Sequence, residues 1–365
     1  MFKHITLIAS LALVVWLSWH LERIASHTRP GYSLIIISLL IGMLIILAGC
    51  ELFSNGVEHL GDRMNMSHAT VGSLLAGIGT ALPETIIPVL ALISGNAAHG
   101  EQIAVGAILG APFMLSTLAF FLLGLTVLVR KSFKKDRAPC MGINAGALNF
   151  ELKQVLFAMG VILAASLLKI RAVDLIAAAA LSASYVFFVS RAMRYEAEDG
   201  ESYAEGFHFG TFLGYEKKTG WISFQVLTGL VLMVLGASLF VDYISLLAIK
   251  SGGSALVLSI VIVPFATELP EKFNSISWTL KDRDTLAIGN ITGAMAFQST
   301  IPASIGLVFT KWSLGRTELL NIVSVILMGA LLKITVSGKK QKHIPAAVLL
   351  AGGIFYVAYL WIVFK

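Results

Sequence analysis

Long apolar runs separated by short polar breaks are the feature that most narrows what this chain can fold into. The hydrocarbon core of a bilayer is about 30 Å thick and is crossed by a helix of about 20 apolar residues. Runs of that order recur near residues 4–20, 32–54, 68–95, 101–129, 152–170, 172–191, 221–247, 253–279, 284–310, 317–334 and 344–364. The pattern predicts an all-α fold, a polytopic transmembrane helical bundle of about 10–11 helices.

Composition agrees. The chain is 57% hydrophobic and 13% charged, against about 25% charged residues in soluble domains. Such a chain cannot cover itself with polar surface, and the lipid bilayer is its expected partner. The net charge of +6 invites a nucleic-acid reading. That reading fails because the basic residues lie at the ends of apolar runs rather than in clusters with aromatics.

Lys3 followed by apolar residues through Trp19 also resembles the apolar core of a signal peptide. No small-residue cleavage site follows, so residues 1–30 are expected to be an extra N-terminal helix or signal anchor. With that helix retained, a cytoplasmic N-terminus puts Arg130, Lys131, Lys134, Lys135, Arg137, Arg191, Arg194, Lys217 and Lys218 on the cytoplasmic side, as the positive-inside rule requires. The expected location is the inner membrane of a prokaryotic cell. Cys50, in an apolar run, and Cys140, in a polar loop, are not expected to pair. The basic stretch 130–151 is expected to meet anionic lipid. Residues 192–220, acidic through Glu196, Glu198, Asp199, Glu201 and Glu205, read as a solvated cytoplasmic linker.

The chain repeats itself. LAGIGTALPE at 75–84 matches IVPFATELPE at 262–271. IAVGAILGAPFMLST at 103–117 matches LAIGNITGAMAFQST at 286–300, and LAGCELFSNG at 47–56 parallels LGASLFVDYI at 235–244. Three matches in one order indicate duplication. The halves are 31–191, with repeat one over 41–128, and 221–365, with repeat two over 227–314. The assigned topology makes the repeats inverted, and inverted repeats with Gly- or Pro-interrupted helices mark the midplane site of secondary transporters.

Each repeat sets a carboxylate, Glu84 or Glu271, inside an apolar run, where an ionisable group normally faces a cavity, a partner or an ion. Hard divalent cations take carboxylate and carbonyl oxygens. Pro83 and Pro270 lack an N–H, so the carbonyls of Gly79 and Ala266 lose their usual donors and can join a cation site. Thr80 and Thr267 add hydroxyls one turn earlier. The bland alternatives are a simple kink for each proline and a hydroxyl bonded to its own helix for each threonine. Two copies of T-x-L-P-E in inverted repeats favour the functional reading. Gly106, Gly110, Gly289 and Gly293 form small-xxx-small patterns, read as close helix packing.

GTALPE (79–84), ATELPE (266–271) and the G-x-x-x-G segments that follow resemble the paired α-repeats of the sodium/calcium exchanger (cation/Ca2+ antiporter) superfamily. The resemblance implies ten core helices, alternating access, and exchange of Ca2+ for Na+ or H+, with no resident cofactor. It implies Glu84 and Glu271 as metal ligands, with Thr80 and Thr267 beside them. The chain also departs from the family pattern. Ala107, Ala111, Pro112 and Leu115 stand at positions that are polar in the family. Asn290 is kept, while Ala294, Met295 and Gln298 replace Ser, Asn and Asn or Asp. Lost oxygens weaken the case for Na+ and open two alternatives, proton coupling, which needs only a carboxylate, or a different cation. Ser116, Thr117, Ser299 and Thr300 are secondary hydroxyl candidates, with backbone bonding the plainer reading.

Glu268 and Lys272 are unusual in such a helix. Four apart with Glu first, they suit an internal ion pair. The sharper reading is an ammonium standing in for a transported cation near Glu271. The function expected is a secondary cation antiporter moving Ca2+ or a related divalent cation, not an enzyme. An intramembrane protease would need paired acids, but G-x-G-D, H-E-x-x-H and G-x-S-x-G are all lacking. A cation-binding relative without transport is the third reading.

Overall fold

The computed structural model describes residues 30–63, 82–93, 99–133, 138–196, 206–214, 217–336 and 341–363, with His20 and Arg23. The expected first helix, Gly79, Thr80 and the acidic stretch 197–205 lie outside these. Among the described residues eight helices are long and apolar enough to cross a membrane, and two shorter apolar helices, Pro83–Ile93 and Ala255–Phe265, accompany them. Neither Cys50 nor Cys140 is in a disulfide.

The helices are α1 (Tyr32–Arg63), α2 (Pro83–Ile93), α3 (Gly100–Met114), α4 (Phe120–Phe133), α5 (Ala145–Leu168), α6 (Arg171–Glu196), α7 (His208–Leu213), α8 (Thr219–Ser251), α9 (Ala255–Thr267), α10 (Leu269–Leu280), α11 (Asp284–Gln298), α12 (Ile301–Phe309), α13 (Arg316–Val336) and α14 (Ala346–Val363). Two short strands, β1 (Cys140–Asn144) and β2 (Gln341–Pro345), interrupt them.

Two runs expected to be continuous helices are broken, and a third changes its winding. The run 253–279 breaks at Glu268, between α9 and α10. The run 284–310 breaks at Ser299 and Thr300, between α11 and α12. The run 101–129 stays helical but passes through a π-helical turn at Leu115–Ala119. Proline accounts for the first two, since Pro270 and Pro302 sit in the opening turn of α10 and α12 and a proline is well placed there but not in a helix interior.

The chain forms two compact units, and they are not the sequence halves 31–191 and 221–365. One comprises Met1–Ile103 and Val189–Leu258, the other Ala104–Phe188 and Ser259–Lys365, so each draws on both halves.

In the first unit α1 and α8 pack along nearly their whole length. A seam of glycines makes this contact. A Cβ on Gly42 would lie 3.1 Å from the Gly236 carbonyl oxygen, one on Gly49 2.7 Å from the Met233 nitrogen, and one on Gly56 2.8 Å from Val226. As the number rises on α1 it falls on α8, so the helices run antiparallel. They carry corresponding segments of the two repeats, which is the inverted relation expected from the sequence. Glycines seven apart stay on one seam, and in lipid small residues let backbones approach closely where no hydrophobic force draws helices together.

One end of this pair carries part of the expected linker. Phe207 and Phe209 are buried with Ile222, beside Leu52, Leu60 and Trp221. The Asn55 Oδ1 accepts from His208 N at 3.1 Å and from Gln225 Nε2 at 3.0 Å, and the Gln225 Oε1 accepts from Phe209 N at 2.9 Å. Residues 207–213 are therefore docked on the helix pair rather than solvated, since two aromatic rings and two backbone N–H groups find buried partners there.

In the second unit the described residues of the basic stretch 130–151 form the end of α4, strand β1 and the start of α5. β1 pairs antiparallel with β2, from Cys140 opposite Pro345 to Asn144 opposite Gln341. Asn144 caps α5, its Oδ1 accepting from Gly146 N at 3.0 Å. Arg130, at the end of α4, is 4% exposed and points inward to Asp284 at 2.5 Å and Asp282 at 3.3 Å. It also donates to the carbonyls of Thr279 and Cys140, while Gly142 N donates to Asp284. One buried guanidinium thus joins α4, β1 and the α10–α11 turn.

Arg130→Met should lower stability by about 3–5 kcal/mol, because it strands a buried carboxylate, and adding Asp284→Leu should recover most of the loss. Denaturant unfolding in mixed micelles reads both. Gly49→Val should split the α1–α8 pair and abolish the monodisperse protein in size-exclusion chromatography. Gly160→Ala, with open space around it, should leave stability unchanged or raise it by up to about 1 kcal/mol.

Candidate cation site

The second-repeat motif lies at the broken helix of the second unit. α9 ends at Thr267, and Glu268 precedes the first residue of α10. Glu268 is 0% exposed and Glu271 1%. Glu271 therefore sits in the first turn of a new helix rather than mid-helix as expected. The N-terminal end of a helix carries partial positive charge, which offsets part of the cost of a carboxylate at membrane depth. The first repeat, in its own unit, has the same local design. Pro83 opens α2, and Glu84 in its first turn is 2% exposed.

Around Glu268 and Glu271, α11 supplies polar partners. The Gln298 Nε2 donates to Glu268 Oε1 at 2.7 Å, and the Gln298 Oε1 is a buried acceptor with no hydrogen-bond partner among the described residues. The Asn290 Nδ2 donates to the Glu271 carbonyl at 3.0 Å and to Ser275 Oγ at 3.0 Å. Asn290 thereby holds α10 beside α11 and fixes the backbone of Glu271. Lys272 is buried, its Nζ 3.4 Å from the Pro264 carbonyl and 5.5 Å from the Phe265 ring centroid.

The hydroxyl candidates take the plainer reading. Ser116 donates to Phe113 O at 3.0 Å and Thr117 to the same oxygen at 2.6 Å. Ser299 donates to Met295 O at 2.7 Å, Thr300 to Ala296 O at 2.8 Å and Thr267 to Val263 O at 3.3 Å. Each hydroxyl hydrogen goes to the preceding turn, and the oxygen lone pairs stay available to a cation. Ala266 stays in the last turn of α9, where Pro270 denies its carbonyl the usual donor.

The glycine reading is correct in part. A Cβ on Gly110 would lie 2.5 Å from Ile260 O and 2.7 Å from Pro264 Cγ, so α3 seats tightly on α9. Gly289 would meet only the Glu151 carboxylate, at 3.8 Å, and Gly293 nothing within 4 Å. These two leave space on α11 instead of closing a contact, since no backbone approaches them.

The first-repeat counterparts Ala107, Ala111 and Leu115 are buried and apolar. The second unit is thus lopsided, polar along α11 and oily along α3. Sequence reasoning missed three residues here: Pro264, whose ring receives Gly110 and whose carbonyl receives Lys272; Ser275, which anchors Asn290; and Glu151, which accepts from Thr292. Pro264 alone carried a signal, as a second proline six residues before Pro270.

Comparison with known proteins places this geometry. A family model described as sodium/calcium exchanger protein matches residues 34–194 and 221–365. The inner membrane protein YrbG of Escherichia coli is 24% identical over 335 residues, 88% of this chain and 95% of that protein. The putative antiporter CaxA of Alkalimonas amylolytica is 23% identical over 74% of this chain and 80% of that one. Among solved structures, the H+/Ca2+ exchanger CAX superposes with a TM-score of 0.72 at 15% identity, covering 99% of this chain and 89% of that one. The sodium-calcium exchanger NCX_Mj gives 0.56 at 18% identity, covering 90% and 97%. Both are likenesses of fold. The family match runs through both halves and includes both T-x-L-P-E motifs, and the chain therefore belongs to the sodium/calcium exchanger family of membrane cation antiporters.

Proposed function

We propose that this protein carries Ca2+, or a related divalent cation, across the inner membrane of a prokaryotic cell in exchange for H+. The observation that supports this most is the matched placing of Glu84 and Glu271, each buried in the first turn of a proline-opened helix. A buried carboxylate has two ways to be neutral. It can bind a cation or take up a proton, and an antiporter alternates between the two. The motif residues Glu84, Glu268, Glu271 and Lys272 carry a formal net charge of two negatives, which suits one divalent ion or two protons.

Against Na+ as the counter-ion stands the loss of oxygen ligands. Positions 107, 111 and 115 are apolar, so their side chains offer a cation no oxygen. Hard monovalent and divalent cations need several oxygens each, whereas a proton needs one. In the second unit the backbone oxygen freed at Ala266 and the Gln298 amide oxygen are further oxygens open to a divalent ion. Na+ coupling remains the second reading, favoured by the family and by the NCX_Mj fold.

In proteoliposomes, 45Ca2+ uptake should be driven by an outward H+ gradient and not by an outward Na+ gradient at clamped pH. Uptake with Na+ alone would overturn the coupling proposed. Glu271→Gln and Glu84→Gln keep shape and lose charge. Each should raise the half-saturating Ca2+ concentration by about 10–100-fold, since a contact to a charged group is worth about 1.5–3 kcal/mol. If neither gradient drives Ca2+, a panel of other divalent ions with the same variants decides whether calcium is the wrong cargo.

A further inference from the structure

We propose that Lys272 is a tethered cation: its ammonium fills, permanently, a place at the α9–α10 break that a mobile monovalent cation would otherwise occupy. This rests on the antiporter reading and narrows its coupling.

The break is a natural cation site. The C-terminal end of a helix carries partial negative charge in its last carbonyls. Here one of these carbonyls is short of a donor, because Pro270 has no N–H to offer Ala266. The Lys272 Nζ turns back to this end. It lies 3.4 Å from the Pro264 carbonyl oxygen, which also accepts from Glu268 N at 3.1 Å, and it faces the Phe265 ring. A carbonyl at a helix C-terminus and an aromatic face are two partners that a cation prefers. A lysine in a membrane helix ordinarily extends its stem to bring the ammonium to water. At 5% exposure this one does not.

The repeats show that the fold does not require the charge. T-A-L-P-E-T at 80–85 and T-E-L-P-E-K at 267–272 are the same motif. Thr85 and Ala81 stand where Lys272 and Glu268 stand. The first copy still opens a helix at its proline and still buries its glutamate. Lysine and glutamate thus distinguish the second copy as a pair, leaving the net charge of the site unaltered. Glu268 is held in place by Gln298 at 2.7 Å, which fixes the negative member of the pair at the break.

A cation on a tether neutralises but cannot leave. It removes one monovalent ion from the exchange and leaves the remaining carboxylates to the divalent ion and protons. Lys272 is a positioning residue in this sense, setting how many mobile ions the site accepts.

Equilibrium binding of 22Na+ to the purified full-length protein tests the idea without reference to transport. Wild type should show no saturable Na+ binding. Lys272→Gln should acquire one saturable site, and Glu268→Gln/Lys272→Gln should lose it again. In proteoliposomes, 45Ca2+ uptake by Lys272→Gln should become dependent on Na+ or Li+, rising at least about tenfold with either, while wild type responds to neither. A Lys272→Gln protein that binds no more Na+ than wild type overturns the proposal. So does one that fails to fold in NaCl, LiCl and KCl alike, because a vacated cation place must accept one of them. If wild type exchanges no divalent cation at all, the antiporter reading fails, and the Na+ binding of the variants still decides the role of Lys272.

Discussion

A bilayer offers no water to an unpaired backbone group, so a helix broken at membrane depth needs another source of polar partners. That constraint organises the second unit. The chain breaks at Glu268 and again at Ser299–Thr300, and each break sets helix ends among apolar neighbours. At the first break the backbone still donates from Glu268 N to Pro264 O and from Lys272 N to Glu268 O, and side chains add polar partners beside it: the Gln298 amide on the Glu268 carboxylate, the Asn290 amide on the Glu271 carbonyl, the Lys272 ammonium at the end of α9. The same ends supply the chemistry. An N-terminal turn receives a carboxylate, a C-terminal turn receives a cation, and the two sit one residue apart in the chain.

The repeats share a plan and differ in its execution. Where α11 stops at Gln298 and α12 restarts at Ile301, the first repeat passes the equivalent point through a π-helical turn at Leu115–Ala119. A π-turn relieves strain without freeing a helix end. The polar side chains follow this difference: Asn290 and Gln298 on the broken side, Ala107 and Leu115 on the unbroken one. In a symmetric site both repeats would contribute the same ligands. Here the helix that breaks brings the amides, and its counterpart brings packing, through Gly110 against the backbone of Ile260.

Much of this was legible in the amino-acid order. Hydropathy gives the spans because the bilayer imposes length. Two copies of T-x-L-P-E give the repeat and its carboxylates, because a charge in lipid is rarely tolerated without a partner or an ion. The breaks were not legible. A proline marks a helix disturbance but does not distinguish a kink from a new helix start, and that depends on how the chain around it packs against a distant helix, here α11 through Asn290 and Gln298. Residues 207–213 read as linker because their neighbours are acidic, yet two phenylalanines among polar residues signalled docking. Arg130 read as one more positive charge at a span end. Its inward turn required Asp284, which is 154 positions away and carries no local pattern linking it to Arg130. The glycine seam was visible only as scattered glycines, since Gly42, Gly49 and Gly56 gain meaning when Gly229 and Gly236 face them.

The β1–β2 ladder bears on how the protein is made. Strand β1 leaves the ribosome well before its partner, Gln341–Pro345, which emerges only after α5 through α13. Until then the open edge of Cys140–Asn144, which starts α5 at one membrane surface, has water rather than protein for its hydrogen bonds. The second unit can insert helix by helix, but it cannot close until α13 has been made. Strand β2 and helix α14 thus fasten the assembly, and a chain cut short before residue 341 is left with an unpaired strand that quality-control proteases can recognise.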